Sequence, residues 1–287
     1  MQYFLLLLTA LLLTLQKVTQ KRYNTTCRTG VFLFSGLISL CAMAVFAVVA
    51  VLNRTWTWNA YLILPAVGFG LSYAAATVFV VLAIRNGSLA RTTLITSYSL
   101  LVPAMVGLVV LREPLKPTLL AGILLLAVSL WLTNHRKSQS ETVTLKWAVF
   151  AILGFVGNGL CSTVQKLAPH YIDPVYLNQN MYMIAALGLS SAVLMTASFL
   201  MKETDRGTTL HRGTPLALIC GLCNGGVNLL VLYLNSCIPA SVMFPAISAG
   251  QIILVCLYSL VFCREAFTKK QWAGFAVGTL SVILLNL

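Results

Sequence analysis

The sequence predicts an all-α polytopic membrane protein of ten transmembrane helices arranged as two inverted five-helix repeats, and three observations lead there. First, 59% of the 287 residues are apolar, 9% are charged and mean hydropathy is +0.90, too few polar groups to cover a water-soluble globule. Second, uncharged apolar stretches long enough to span a bilayer recur along the chain, at 3–20, 30–52, 60–84, 92–111, 117–134, 147–167, 178–201, 214–236, 240–262 and 271–287. Third, the chain repeats itself. Arg112-Glu113-Pro114-Leu115 followed by Ala121-Gly122 returns 152 residues later as Arg264-Glu265-Ala266-Phe267 followed by Ala273-Gly274. A five-helix unit crosses the membrane an odd number of times, so its second copy starts from the opposite side. The expected divisions are 1–134, a connecting loop over 135–146, and 147–287.

In the first span the apolar run from Tyr3 to Leu15 is short, as in a signal peptide. No basic residue precedes it, no small-residue cleavage site follows it, and its Gln16-Lys17 end matches Gln165-Lys166 at the end of the sixth span, so a retained helix is expected. The second and seventh spans share Gly36-Leu37-Ile38-Ser39 and Gly188-Leu189-Ser190-Ser191 at the same offset of 152. The third carries Tyr73, an aromatic candidate for a cavity wall. On the fourth, Thr92, Thr96, Ser99 and Pro103 share a face, with Tyr98 beside them as a second aromatic candidate. The sixth carries Asn158, Ser162 and Gln165 on one face, and the eighth carries Asn224, Asn228 and Asn235. On the ninth, Phe244, Ser248 and Gln251 stand at the repeat equivalents of Thr92, Thr96 and Ser99. Pro103 and Pro245 permit bends. The fifth and tenth follow the Arg-Glu turns, which read as helix starts with an acid near the positive end. Gly274-x-x-x-Gly278 on the last helix allows close packing within the chain or in a homodimer.

The doubled motifs make the chain resemble the drug/metabolite transporter superfamily, and within it the EamA-like ten-helix permeases. The resemblance rests on the two five-helix units, the Gln16-Lys17 and Gln165-Lys166 pairs, and Glu113…Gly122 with Glu265…Gly274. It implies a plasma-membrane carrier of small metabolites, with a central cavity walled by the first four helices of each half and the fifth and tenth helices peripheral. It also implies cytoplasmic termini. The charge count points the other way: all basic residues except Arg54, Arg112, Lys116 and Lys166 fall in connections after odd-numbered spans, which positive-inside counting assigns to the cytoplasm.

The net charge of +13 is spread over short loops, which suits lipid headgroups rather than nucleic acid. The six acids, Glu113, Glu141, Asp173, Glu203, Asp205 and Glu265, all fall in loops or at helix ends, leaving no carboxylate at mid-membrane to carry a proton or neutralise a cation. No nucleophile motif appears, so no enzyme, cofactor or metal site is expected; Cys220-x-x-Cys223 has no second pair and no nearby His. What remains is uncharged polarity. Gln16, Tyr73, Thr96, Tyr98, Ser99, Asn158, Gln165, Asn224, Asn228, Ser248 and Gln251 are the expected substrate contacts, with Lys17 and Lys166 as repeat-related cations for an anionic or zwitterionic substrate. An amide facing lipid would lack partners, and amides between helices need room and several of them. The expected function is a secondary transporter for a small neutral, zwitterionic or anionic metabolite. The rivals are a headgroup flippase, which would need a slot open to the bilayer, and a scaffold, which would have a filled core.

Overall fold

The computed structural model describes residues 2–27, 29–87, 89–99, 101–112, 117–134, 144–173, 176–203, 206–262 and 268–285. These are helical apart from turns and short loops, with no strand among them; a 3-10 turn at Ala60–Leu62 leads into the third long helix and a π-helical stretch at Thr209–Gly213 joins the ninth helix to the tenth. In chain order the helices are α1 (Gln2–Thr26), α2 (Val31–Leu52), α3 (Ile63–Asn86), α4 (Leu89–Tyr98), α5 (Leu101–Val109), α6 (Pro117–Asn134), α7 (Leu145–Tyr171), α8 (Gln179–Leu200), the single turn α9 (Arg206–Thr208), α10 (Thr214–Asn235), α11 (Ala240–Phe262) and α12 (Lys269–Leu285). Among the described residues six helices are long and apolar enough to cross a membrane: Gln2–Thr26, Val31–Leu52, Ala60–Asn86, Leu145–Tyr171, Gln179–Leu200 and Arg206–Asn235. Shorter apolar stretches lie at Leu120–Ser129 and Val242–Tyr258. The protein is a multi-pass membrane protein.

Local chemistry explains where these helices run. Along α1 the hydroxyls of Thr9, Thr14 and Thr19 donate to the carbonyls of Leu5, Ala10 and Leu15 at 2.7, 2.8 and 2.8 Å, which satisfies them without a partner outside the helix. The helix runs six residues past the expected end at residue 20. Its polar last turns are held by Asn24, whose Nδ2 donates to the Val81 carbonyl at 3.0 Å, and by Tyr23, fully buried and stacked on Phe34 with ring centroids 3.6 Å apart. Gly30 then turns the chain with φ 76°, a conformation that costs glycine little. Asn178 opens α8 by accepting from the Met181 amide at 3.2 Å.

The expected fourth span, 92–111, is broken. Pro103 has no N–H to give the Ser99 carbonyl four residues back, and its ring crowds that carbonyl. The Ser99 carbonyl accepts from the Val102 amide at 3.1 Å instead, a tighter turn that separates α4 from α5. Pro245 lies near the start of α11, which runs unbroken.

Packing places α3 against α7 and α8, α2 against α8 and α10, α1 against α10 and α11, the α4–α5 pair against α7 and α11, and α6 against α12. Phe46, Leu62, Phe69, Tyr182, Met183 and Leu187 form one core shared by α2, α3 and α8. The outer faces stay apolar, as a lipid solvent allows: Leu7, Leu11 and Leu15 on α1 are exposed at helical spacing. Contacts repeat at the offset of 152. Ser129 Oγ donates to the Gly274 carbonyl at 2.6 Å, and Ser281 Oγ to the Gly122 carbonyl at 2.7 Å. A Cβ on Gly36 would meet Met195, and one on Gly188 would meet Met43. The Gly274 and Gly278 stripe therefore approaches α6 of the same chain.

Close approach is tightest where a Cβ at Gly70 would stand 2.6 Å from the Ala186 carbonyl oxygen, a backbone atom of α8. Gly70→Ala is therefore expected to force α3 and α8 apart and cost about 1–3 kcal/mol. A lowered melting temperature of the detergent-purified protein would show this, and an unchanged one would contradict it.

The doubled Arg-Glu turns cannot be described as a pair. Arg112 takes the left-handed conformation, φ 52°, while residues 113–116 and 263–267 lie outside the described residues, as do Glu141 and Asp205. Of the acids, Asp173 and Glu203 are described, after α7 and α8 respectively.

Candidate functional site

A cavity of about 120 Å³ lies among α1, α3, α4, α7, α10 and α11. Each helix presents one face to it. Leu13, Gln16, Lys17 and Gln20 come from α1, and Phe69, Tyr73, Ala76, Thr77 and Val80 from α3. Asn158, Cys161, Ser162 and Gln165 come from α7, and Asn224, Val227, Asn228 and Val231 from α10. Thr96 and Ser99 close one wall at the break after α4, and Phe244, Ile247 and Gln251 complete it from α11.

Of the residues expected from sequence, ten meet here: Gln16, Lys17, Tyr73, Thr96, Ser99, Asn158, Gln165, Asn224, Asn228 and Gln251. Three do not. Tyr98 is one residue before Ser99, which turns it about 100° round the helix, and it lines a separate apolar groove with Ile95, Val102, Met105 and Ile152. Ser248 is fully buried but is not a lining residue. Lys166 is half-buried and also lies off the cavity. Gln20, Phe69 and Thr77 are lining residues that sequence reasoning missed. Their signal was spacing: Gln20 is four residues from Gln16, and Phe69 and Thr77 are each four from Tyr73.

The absence of Lys166 has a physical reason that corrects the expected pairing of Gln16-Lys17 with Gln165-Lys166. The four lining positions of α1 and the four of α7 have identical spacing, and they stand 145 residues apart, not 149. Packing gives the same register. Cys161 Sγ of α7 lies 3.7 Å from the Phe69 carbonyl of α3, and Gln16, 145 residues before Cys161, offers its carbonyl to Cys220 Sγ of α10 at 3.6 Å. The ends Thr26 and Tyr171 are also 145 apart. In space, then, Gln165-Lys166 corresponds to Gln20-Lys21, a second Gln-Lys pair one turn after the first. The counterpart of Lys17 is Ser162.

The polar groups are mostly anchored to backbone. Asn228 Nδ2 donates to the Asn224 carbonyl and to Asn224 Oδ1, both at 2.9 Å. Gln165 Nε2 reaches the Asn228 carbonyl at 3.5 Å, joining α7 to α10. Ser99 Oγ donates to the Thr96 carbonyl at 2.5 Å and Thr77 Oγ1 to the Tyr73 carbonyl at 2.8 Å. Gln20 Oε1 is buried with no hydrogen-bond partner among the described residues. Among the described residues Lys17 is the one charged group that lines the cavity; it is 7% exposed and makes no ion pair or hydrogen bond among them. The extension of α1 to Thr26 puts it nine residues before the helix end, about 13 Å along the axis at 1.5 Å per residue. No group of three or more His, Cys, Asp or Glu side chains placed to hold a metal occurs among the described residues.

Such a site can hydrogen-bond and can balance one negative charge. Among the described residues no acid lines it with which to bind a cation or relay a proton. A model of the EamA-like transporter family matches residues 145–287. No curated protein matches the sequence. A crystal structure of another protein superposes with a TM-score of 0.74 at 12% identity, covering 99% of this chain and 98% of that one, a likeness of fold.

Proposed function

Residues 145–287 place this chain in the EamA-like transporter family of the drug/metabolite transporter superfamily, and from that membership we propose that it is a permease for a small neutral, zwitterionic or anionic metabolite. The carrying observation is the polar cavity, walled by helices from both parts of the duplicated chain. Ten spans as two inverted five-helix halves are the arrangement we favour. Support comes from contacts that reciprocate at 152 residues in α2 with α8 and in α6 with α12, as helices related by a two-fold axis would make them. Alternating access follows, with the halves rocking about the site in the cytoplasmic membrane.

The flippase and the scaffold fit less well. Among the described residues the groove beside α5 shares no lining residue with the cavity, and its lining is apolar apart from Tyr98, so it suits acyl chains better than a headgroup. A scaffold has no need of a cavity full of amides, each of which costs desolvation unless something binds it.

Reconstitution into vesicles with a panel of labelled metabolites tests the reading. Ser162→Trp would fill the cavity from α7 and is expected to abolish uptake, whereas Leu160→Trp, on the exposed face of the same helix, should leave it within about twofold. Equal uptake by both variants would sink the proposal.

A further inference from the structure

We infer that Lys17 is the anion-binding group of this cavity and that the substrate is a small monocarboxylate carrying neutral hydrogen-bonding groups. The inference deepens the permease reading and rests on it only for the word substrate. It starts from asymmetry. In the spatial register the two halves match Gln20 with Gln165, but they set Lys17 against Ser162. Among the described lining residues, the second half is therefore neutral and the first holds one cation. Repetition of the fold does not account for Lys17, and packing does not either, since no carboxylate or hydrogen-bond acceptor among the described residues meets it.

Lys17 is 7% exposed as a residue, and a lysine so enclosed among helices is costly without a partner for its charge. Three residues further along α1, the carbonyl oxygen of the Gln20 side chain is buried without a partner among the described residues. Two unsatisfied groups one turn apart on α1, one a cation and one an acceptor, call for a ligand with an anionic group and a neighbouring donor. A hydroxyl next to a carboxylate has that form. A single negative charge neutralises the cavity. A dianion such as phosphate would leave it negative with no second cation among the lining residues, and a free ammonium would face Lys17 with no lining acid to offset it. Phe69, Tyr73 and Phe244 leave room for an apolar body.

The test is thermal stabilisation of the full-length purified protein by matched pairs: lactate and lactamide, glycerate and glyceramide, benzoate and benzamide, with alanine and inorganic phosphate alongside. At least one acid should bind about tenfold or more tighter than its amide, the strength of a charge-assisted hydrogen bond. Lys17→Gln should bring that ratio to about one, Lys17→Arg should keep it, and Lys146→Gln, an exposed residue at the start of α7, should not change it. The proposal is overturned if no acid is preferred, if the preference survives Lys17→Gln, or if alanine or phosphate binds best. Vesicle uptake separates the two readings. Lys17-dependent acid binding without transport would leave the anion site standing and remove the permease, and transport of neutral solutes without acid preference would do the reverse.

Discussion

The double variant Asn228→Leu, Gln251→Leu is expected to insert and fold but to lose solute uptake by about 100-fold or more. Both side chains line the cavity from helices in the second half, 7% and 4% exposed, where a substrate would exchange its hydration for amide contacts. Each lost hydrogen bond to a buried ligand weakens binding by about 1.4 kcal/mol, tenfold, and two at one site compound. Folding should suffer less. The bond from Gln165 to residue 228 goes to the backbone carbonyl and survives any side chain there, while among the described residues the Asn228 amide bonds within its own helix, to Asn224; Gln251→Leu alone, run in parallel, measures what the Gln251 side chain contributes to folding. Leucine adds a similar volume beside open space, so strain is small. Monodisperse protein with a melting temperature near native and no uptake is the expected result. Native uptake would show that these amides glue helices together and do not meet solute.

Part of this site could be read from the sequence, and the unread part has identifiable causes. Amides are conspicuous in spans that are otherwise apolar, and helical spacing alone puts Asn224 and Asn228, or Asn158 and Gln165, on one face. The 152-residue register of Gly36 with Gly188 reappears as real contacts, because small residues at a helix crossing leave nothing else to adjust. In α1 the same reasoning failed. Gln-Lys occurs at 16–17 and again at 20–21, so residue identity alone is satisfied by two registers one turn apart, and only packing against α10 chooses between them. The error placed Lys17 and Lys166 in one class; the structure separates them. Tyr98 failed for a simpler reason. Adjacent residues on a helix point about 100° apart, and the neighbour of a cavity serine faces the apolar groove. Pro103 signalled a distortion, but whether it bent or broke the helix depended on where the Ser99 carbonyl found a new donor.

Glu203→Ala is expected to destabilise the protein by about 2–4 kcal/mol, because this one carboxylate ties the start of α2 to the end of α8. Glu203 Oε1 accepts from the Phe32 amide at 2.9 Å, Oε2 from the Leu33 amide at 3.1 Å, and Ser198 Oγ donates to Oε2 at 2.8 Å. The amides are among the donors that every helix N-terminus leaves unsatisfied, and a negative charge there also meets the positive end of the helix dipole. On the α8 side Arg206 does the converse: its Nη2 donates to the Ser198 carbonyl at 2.6 Å and its guanidinium lies 4.6 Å over the Phe199 ring. Removing the carboxylate leaves three donors without their acceptor, at about 1 kcal/mol each where water can partly replace it. At the opposite end of the same helix pair the tie is neutral: Asn178 Nδ2 donates to the Thr55 carbonyl at 2.8 Å and to the Thr57 carbonyl and hydroxyl at 3.2 and 3.0 Å. Asn178→Ala removes a similar number of bonds with no charge among them, so its melting temperature should fall less than that of Glu203→Ala, and Glu203→Gln should fall between the two. If Asn178→Ala costs as much as Glu203→Ala, the charge at the α2 N-terminus contributes nothing beyond the hydrogen bonds it accepts.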